Sequence, residues 1–149
     1  MTFAKRFNRY ACHGDKITCE VGGLQITARL EYDSDTDIEE HGTHDPECVE
    51  CEDQRAKLAA AKTAWKNNEW FYGGVVLSVS KNGVTLDDHA ASLWAVEVNY
   101  PGSDNSYLTV VANDLLERLE MGTDFLCHIL NEFKDDALND PIRSTETAR

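Results

Sequence analysis

Positive charge is scarce in this sequence relative to negative charge. Against 27 Asp and Glu stand only 14 Lys and Arg in 149 residues, a formal net charge of −13. That deficit argues against direct binding to a nucleic-acid backbone or an anionic membrane surface, both of which select for cationic patches. It favours a basic partner, or solubility alone. Long apolar runs are also missing, and none approaches the ~20 residues of a membrane-spanning helix. Met1 to Cys12 carries Lys5, Arg6 and Arg9 but no apolar core of a signal peptide, so a cytoplasmic protein is expected. There the five cysteines (Cys12, Cys19, Cys48, Cys51 and Cys127) should be reduced or metal-bound, and their odd number fits no closed disulfide framework. No internal repeat is visible. Neither Gly22-Gly23 nor Gly73-Gly74 matches a phosphate-binding loop.

What remains is an ordinary globular composition, 42% apolar and 9% aromatic, enough for one domain over 1–149. Its ends, 1–12 and 140–149, are expected to be frayed. Lys16 to Glu20 and Leu24 to Tyr32 alternate and are β-branched, separated by Val21-Gly22-Gly23, which signals a hairpin. In the second run Ile26, Ala28 and Leu30 share one face, and Thr27, Arg29 and Glu31 the other. A helix is predicted from Pro46 to about Asn67, with Asp45 as its cap and Glu47 at the positive end of its dipole. Trp70 to Ser80 reads as a strand, and Asn82-Gly83 as a tight turn returning Val84 to Leu86. Ser92 to Tyr100 reads as a further strand, with Trp94, Val96, Val98 and Tyr100 on one face. Leu108, Val111, Leu115 and Leu119 mark a helix over about Ser106 to Met121. Gly122 ends it, and Thr123 caps a last helix through Phe133. The expectation is an α+β fold: an antiparallel sheet of about five strands, a helix inserted after the first hairpin, and two C-terminal helices packed on one face.

The least ordinary stretch is Glu31 to Asp53, which holds eleven carboxylates and no Lys or Arg. Asp33-Ser-Asp35-Thr-Asp37 opens like an EF-hand loop, but Ile38 stands where glycine is required and His44 where glutamate is, so that motif fails. If extended, Asp33, Asp35 and Asp37 project from one side at about 6.7 Å intervals. That spacing is comparable with successive phosphates, which advance about 3.4 Å along the axis of each strand while winding around it. Glu31, Asp33, Asp35, Asp37, Glu39, Glu40, Glu47, Glu50, Glu52 and Asp53 are therefore the candidate residues for occupying a basic surface. Glu69 and Asp87-Asp88 are weaker candidates. A solvated charged loop is the plainer alternative.

Within the same stretch, His41-Gly-Thr-His44-Asp-Pro-Glu-Cys48-Val-Glu-Cys51 has the form H-x2-H-x3-C-x2-C. Two cysteines three apart on a first helical turn share a face, and the preceding histidines can fold back to complete a tetrahedron. His41, His44, Cys48 and Cys51 are thus candidate ligands of a structural zinc, with Cys12, His13 or Cys19 as substitutes for a histidine. The alternative is a solvent-facing pair of thiols. Thioredoxin-type redox chemistry is disfavoured, because no strand leads into the Cys pair and the surrounding acids raise its thiol pKa. Asp87-Asp88-His89, placed in a loop after a hairpin strand, could serve acid–base chemistry but has no nucleophile beside it. Trp65, Trp70 and Trp94 read as core, not as a ligand cage.

Several blocks carry a resemblance. They are Ala64-Trp-Lys-Asn-Asn-Glu-Trp-Phe-Tyr72 with Gly74-Val-Val-Leu-Ser-Val-Ser80, then Gly83-Val-Thr-Leu-Asp-Asp-His-Ala-Ala-Ser-Leu-Trp94. Asn99-Tyr-Pro-Gly-Ser-Asp-Asn-Ser-Tyr-Leu-Thr109, Val111-Ala-Asn-Asp-Leu-Leu116, Ile17-Thr-Cys-Glu20 and Ile26-Thr-Ala-Arg29 join them. Together, over about residues 12–119, they resemble small acidic accessory proteins of proteobacterial phages, prophages and conjugative elements. The resemblance supplies no catalytic residues. It implies a stoichiometric inhibitor of a host defence complex, of the anti-CRISPR or antirestriction kind. The partner implied is a host protein or ribonucleoprotein with a basic surface, not nucleic acid itself. A non-catalytic structural or regulatory interaction module of the mobile element, with zinc as its candidate stabiliser, is the second reading.

Overall fold

The alternation from Leu24 to Tyr32 sorts as its periodicity demands: Leu24, Ile26, Ala28 and Leu30 are buried while the residues between them are not. In the computed structural model, which describes residues 2–38 and 52–122, this run is strand β2 (Leu24–Tyr32). It pairs antiparallel with β1 (Lys16–Val21) on one side and β3 (Phe71–Lys81) on the other. β3 pairs in turn with β4 (Val84–Val98), giving one sheet in the order β1-β2-β3-β4. Both hairpins close on two-residue turns. Gly22 and Gly23 have φ of 57° and 82°, and Asn82 and Gly83 have 50° and 80°. Two successive positive φ values match the twist of the flanking strands, as the Asn-Gly pair predicts.

The α+β class is therefore as expected, with four strands among the described residues instead of five. The two short strands foreseen at Val84–Leu86 and Ser92–Tyr100 are one 15-residue strand. Asp87-Asp88-His89, expected in a loop, lie within it. Between the pairs Leu77–Ala91 and Val79–Asp87 the register slips, so β4 bows outward without leaving the ladder. A bulge of that kind looks like a break in the sequence because its residues lose the period-two pattern.

Helix α1 (Glu52–Lys66) buries only Ala61 and Ala64. Its C-terminus closes in a Schellman arrangement. The Asn68 N–H donates to the Trp65 carbonyl and the Glu69 N–H to the Ala64 carbonyl, with Asn68 left-handed at φ 58°. This turn carries the chain straight into Trp70, whose Nε1 donates to the Ala61 carbonyl at 2.8 Å. Trp70 is 1% exposed and stacks edge-on against Tyr72 and Tyr100, with centroids 5.0 and 4.9 Å away. Ile38, Ala61, Ala64, Trp70 and Tyr72 form a core cluster beside the sheet. The predicted start of α1 at Asp45-Pro46 and the helix from Thr123 lie outside the described residues.

The chain divides into two units, 1–116 and 117–149. Helix α2 (Ser106–Met121) gives the first of them a buried stripe of Leu108, Ala112, Leu115 and Leu116. Of the second unit, only the end of α2 and Gly122 are described. Among the described residues, no helix is long and apolar enough to cross a membrane.

The N-terminal segment corrects an expectation. Composition predicts frayed ends, yet Phe3, Phe7 and Ala11 are 5%, 7% and 0% exposed. Among the described residues its backbone joins no strand or helix and is held by side chains instead. The Phe3 N–H donates to Asn113 Oδ1, the Phe7 N–H to Thr109 Oγ1, and the Ala11 N–H to Asn99 Oδ1. Asn99 Nδ2 returns a bond to the Ala11 carbonyl at 2.8 Å. Buried Asn105 ties this together: its Nδ2 donates to the Arg9 carbonyl and to Asn99 Oδ1, while its Oδ1 accepts from the Asn99 N–H. Asn99 and Asn105 both sit at φ 61°, a region that asparagine tolerates better than most residues.

Asn105→Gly keeps the left-handed backbone accessible but leaves the Arg9 and Asn99 groups unpaired. It should lower unfolding free energy by about 1–3 kcal/mol. Asn105→Ala should cost roughly 1 kcal/mol more, for the Cβ in a left-handed conformation. Urea unfolding monitored by Trp fluorescence checks both. Equal stability of the Gly variant and the wild type would show that the clamp is not what holds the segment.

Candidate partner-binding site

Where β2 ends, its chain does not continue extended. The Asp33 N–H donates to the Tyr72 carbonyl, and the Asp33 side chain then folds the next residues around itself. Asp33 Oδ1 accepts from the Asp35 N–H at 3.0 Å and the Thr36 N–H at 3.3 Å, and Oδ2 from Thr36 Oγ1 at 2.8 Å. An aspartate that satisfies nearby backbone donors competes with strand geometry, and here it wins. The even projection of Asp33, Asp35 and Asp37 along an extended chain therefore does not occur. Asp33 is 8% exposed and faces inward, Asp35 and Asp37 are exposed, and Ile38, 1% exposed, anchors the far end of the turn.

Asp33 makes one more bond, and it reaches another strand. Its Oδ2 accepts from the Ala95 N–H at 3.0 Å. Ala95 lies in a bulge of β4, where Trp94 and Ala95 together oppose Gly74 between the pairs Gly73–Val96 and Val75–Leu93. Its φ is 58°, a left-handed conformation that costs a non-glycine residue roughly 1–2 kcal/mol. The bulge takes the Ala95 N–H out of the ladder, and the carboxylate satisfies it. Desolvation raises the Asp33 pKa, but the bonds from Thr36, Asp35 and Ala95 outweigh it and hold the carboxyl below the usual carboxylate range.

The extra residue also turns Trp94 away from the face on which the alternation placed it. Its ring lies over Gly74, in space that any Cβ on that glycine would occupy. Its Nε1 donates to Ser92 Oγ at 3.2 Å, and the residue stays 40% exposed. Trp94 is thus not core, unlike Trp70. Tyr32, 56% exposed, stands at the end of β2 with its ring 5.8 Å from that of Phe71, and its N–H donates to His13 Nδ1. Tyr32, Asp33, Ser34, Asp35, Thr36 and Trp94 line a shallow cleft of about 490 Å³. Nearby, burial first and then the charges of Glu97, Tyr100 and Asp37 push the Tyr72 hydroxyl up to about 12.

Comparison with family models, curated proteins and solved structures finds no match.

The acidic candidates fall into separate groups. Glu31 is half-buried and accepts from Arg29 Nε at 2.8 Å, so it does not face a partner freely. Asp88 meets the same guanidinium at 3.2 Å, and Asp87 accepts from the His89 N–H. His89 Nδ1 lies 3.6 Å from Asp88, both exposed, a geometry that gives neither group an enclosed environment. Asp35, Asp37, Glu52, Asp53 and Glu69 are exposed. Glu39, Glu40, Glu47 and Glu50 lie outside the described residues. So do all four candidate zinc ligands, His41, His44, Cys48 and Cys51. Among the described residues, no group of three or more His, Cys, Asp or Glu is arranged to hold a metal. Of the proposed substitutes, Cys12 is exposed, Cys19 half-buried, and His13 is engaged by Tyr32.

Sequence reasoning missed the exposed aromatics Tyr32 and Trp94. A signal for Trp94 was present: a glycine inside a strand marks a close approach, and Gly74 has no phosphate-loop role to explain it.

Asp33→Asn keeps one oxygen acceptor but sets an NH2 donor where the other oxygen met two donors, and should cost about 1–3 kcal/mol at neutral pH. Because the folded-state pKa is depressed, the wild-type carboxylate contributes its stability fully above the unfolded value of ~3.9. That contribution is lost as pH falls through the folded value. The difference between wild type and variant should therefore shrink below about pH 4. Urea midpoints across an acid pH series test this, and a pH-independent difference would show that the charge is not involved.

Proposed function

We propose that this protein is a non-catalytic, stoichiometric inhibitor that docks on the basic, nucleic-acid-handling surface of a host defence complex, in the manner of an anti-CRISPR protein. The observation that carries this reading is the corner built at the end of β2. There Asp35 and Asp37 are held outward on a turn that Asp33 fixes from within, beside two exposed aromatic rings. Ordered carboxylates lose little entropy on docking, and exposed Trp and Tyr are the side chains that most often dominate binding energy. The net charge of −13 adds long-range steering toward a basic partner. The resemblance of residues 12–119 to accessory proteins of phages and conjugative elements supports a host defence complex as the partner.

Capture from a proteobacterial lysate, eluted across a salt series, tests the reading. Replacing Asp35, Asp37, Glu52 and Asp53 by Lys, with Asp33 left intact, should weaken capture by roughly tenfold or more at about 0.1 M salt. Unchanged capture by that variant would reject the acidic surface.

A second reading, an interaction module of the mobile element itself, is favoured by the exposed apolar residues of β4: Val84, Leu86 and Leu93. It predicts a complex that survives high salt.

Structural zinc at His41, His44, Cys48 and Cys51 belongs to either reading, as a staple for the acidic segment. Elemental analysis of protein purified without chelator should find stoichiometric zinc that disappears in Cys48→Ser/Cys51→Ser. Metal-free wild-type protein would remove zinc from the account.

A further inference from the structure

The cleft beside Asp33 has a composition that selects among cationic groups. The geometry points to a receptor for one arginine side chain of a basic protein partner, its guanidinium laid on the ring of Trp94 and paired with Asp35. This rests on the reading that the acidic corner is a docking surface, and names what that surface recognises.

Three observations carry it. The first is the exposure of a large aromatic on the cleft, Trp94 at 40%. Trp94 is not loosely displayed. The bulge at Ala95 turns it out, Gly74 gives its ring a bed, and Ser92 Oγ holds its Nε1. A fixed indole face attracts a cation through the ring quadrupole without first losing rotamer freedom.

The second is how the two carboxylates of the cleft differ. Asp33 has its oxygens engaged by four protein donors. Asp35 is exposed, and the only side-chain donor to it among the described residues is the Ser34 hydroxyl, at a long 3.4 Å. One acid builds the cleft and the other is left to meet a ligand. The third is charge complementarity with the surface proposed above, where basic side chains are the available groups.

Between the two basic side chains, arginine fits better. Its planar guanidinium stacks on aromatic faces and pairs with a carboxylate through two parallel bonds, whereas the lysine ammonium is a compact, strongly hydrated charge.

The probes are capped nona-arginine and nona-lysine peptides, equal in charge, titrated into the full-length protein at low salt with calorimetry. Two-dimensional NMR of the Trp94 indole N–H provides the local readout. The wild type should bind nona-arginine about three- to tenfold more tightly than nona-lysine and move the Trp94 resonance. Trp94→Leu should abolish that preference while retaining nona-lysine binding. Asp35→Asn, a change at an exposed position, should reduce it. Equal binding of the two peptides, or a preference that survives Trp94→Leu and Asp35→Asn, would overturn the arginine site while leaving the acidic docking surface standing. No binding of either peptide at low salt would overturn both.

Discussion

One carboxylate decides the shape of this corner of the molecule. Asp33 accepts from two backbone N–H groups and a hydroxyl of its own turn, and from the N–H of Ala95 on another strand. The local bonds stop β2 and set the path toward Ile38. The distant bond compensates the N–H that a left-handed bulge removes from the β3–β4 ladder. Without an acceptor there, that donor would be left unsatisfied at a part-buried position, at a cost of about 1–3 kcal/mol on top of the conformational strain. The bulge in turn reverses the facing of Trp94, and the absent side chain of Gly74 gives the ring somewhere to lie. Turn, bulge and exposed indole are consequences of a single buried charge.

Net charge says little about which acids can meet a partner. Glu31 and Asp88 share Arg29, and their bonds fix a guanidinium against the sheet more than they stabilise it, since Asp88 is 70% exposed and such pairs contribute ~0–1 kcal/mol. Asp33 is structural. Asp35 and Asp37, interleaved with it in sequence, face out. A run of alternating aspartates therefore does opposite jobs at adjacent positions, and composition cannot separate them.

How much of this was legible in the sequence depends on the range of the interaction. The facing of Ile26, Ala28 and Leu30, the Asn82-Gly83 turn and the end of α1 followed from local periodicity and turn chemistry, which act within a few residues. The unbroken β4 did not, because a strand that bulges loses its alternation while keeping its ladder. The facing of Trp94 failed for the same reason. Parity propagates along a strand only until an extra residue is inserted, and what stabilises this insertion lies 62 residues away in Asp33. The N-terminal segment was misread because its order comes from Asn99, Asn105, Thr109 and Asn113, about 90 to 110 positions downstream. A backbone held by distant asparagines carries no periodic signature of its own.

The pairing of acids with exposed aromatics separates two tasks that acidic binding proteins otherwise perform with the same groups. Carboxylates at a rim raise the encounter rate with any basic surface, but their attraction is screened within about 10 Å at 0.1 M salt and distinguishes poorly among cations. An aromatic face acts only at contact, is much less sensitive to salt, and depends on the shape of the group it meets. Under the proposed function, steering by Asp37, Glu52 and Asp53 would need no fixed geometry, and these residues are exposed. Discrimination does need it. Of the exposed aromatics beside the acidic turn, Trp94 is the one held in place, by a bulge, a glycine and a serine. Rigidity is concentrated where recognition would require it, and the charges that only attract are left on the surface.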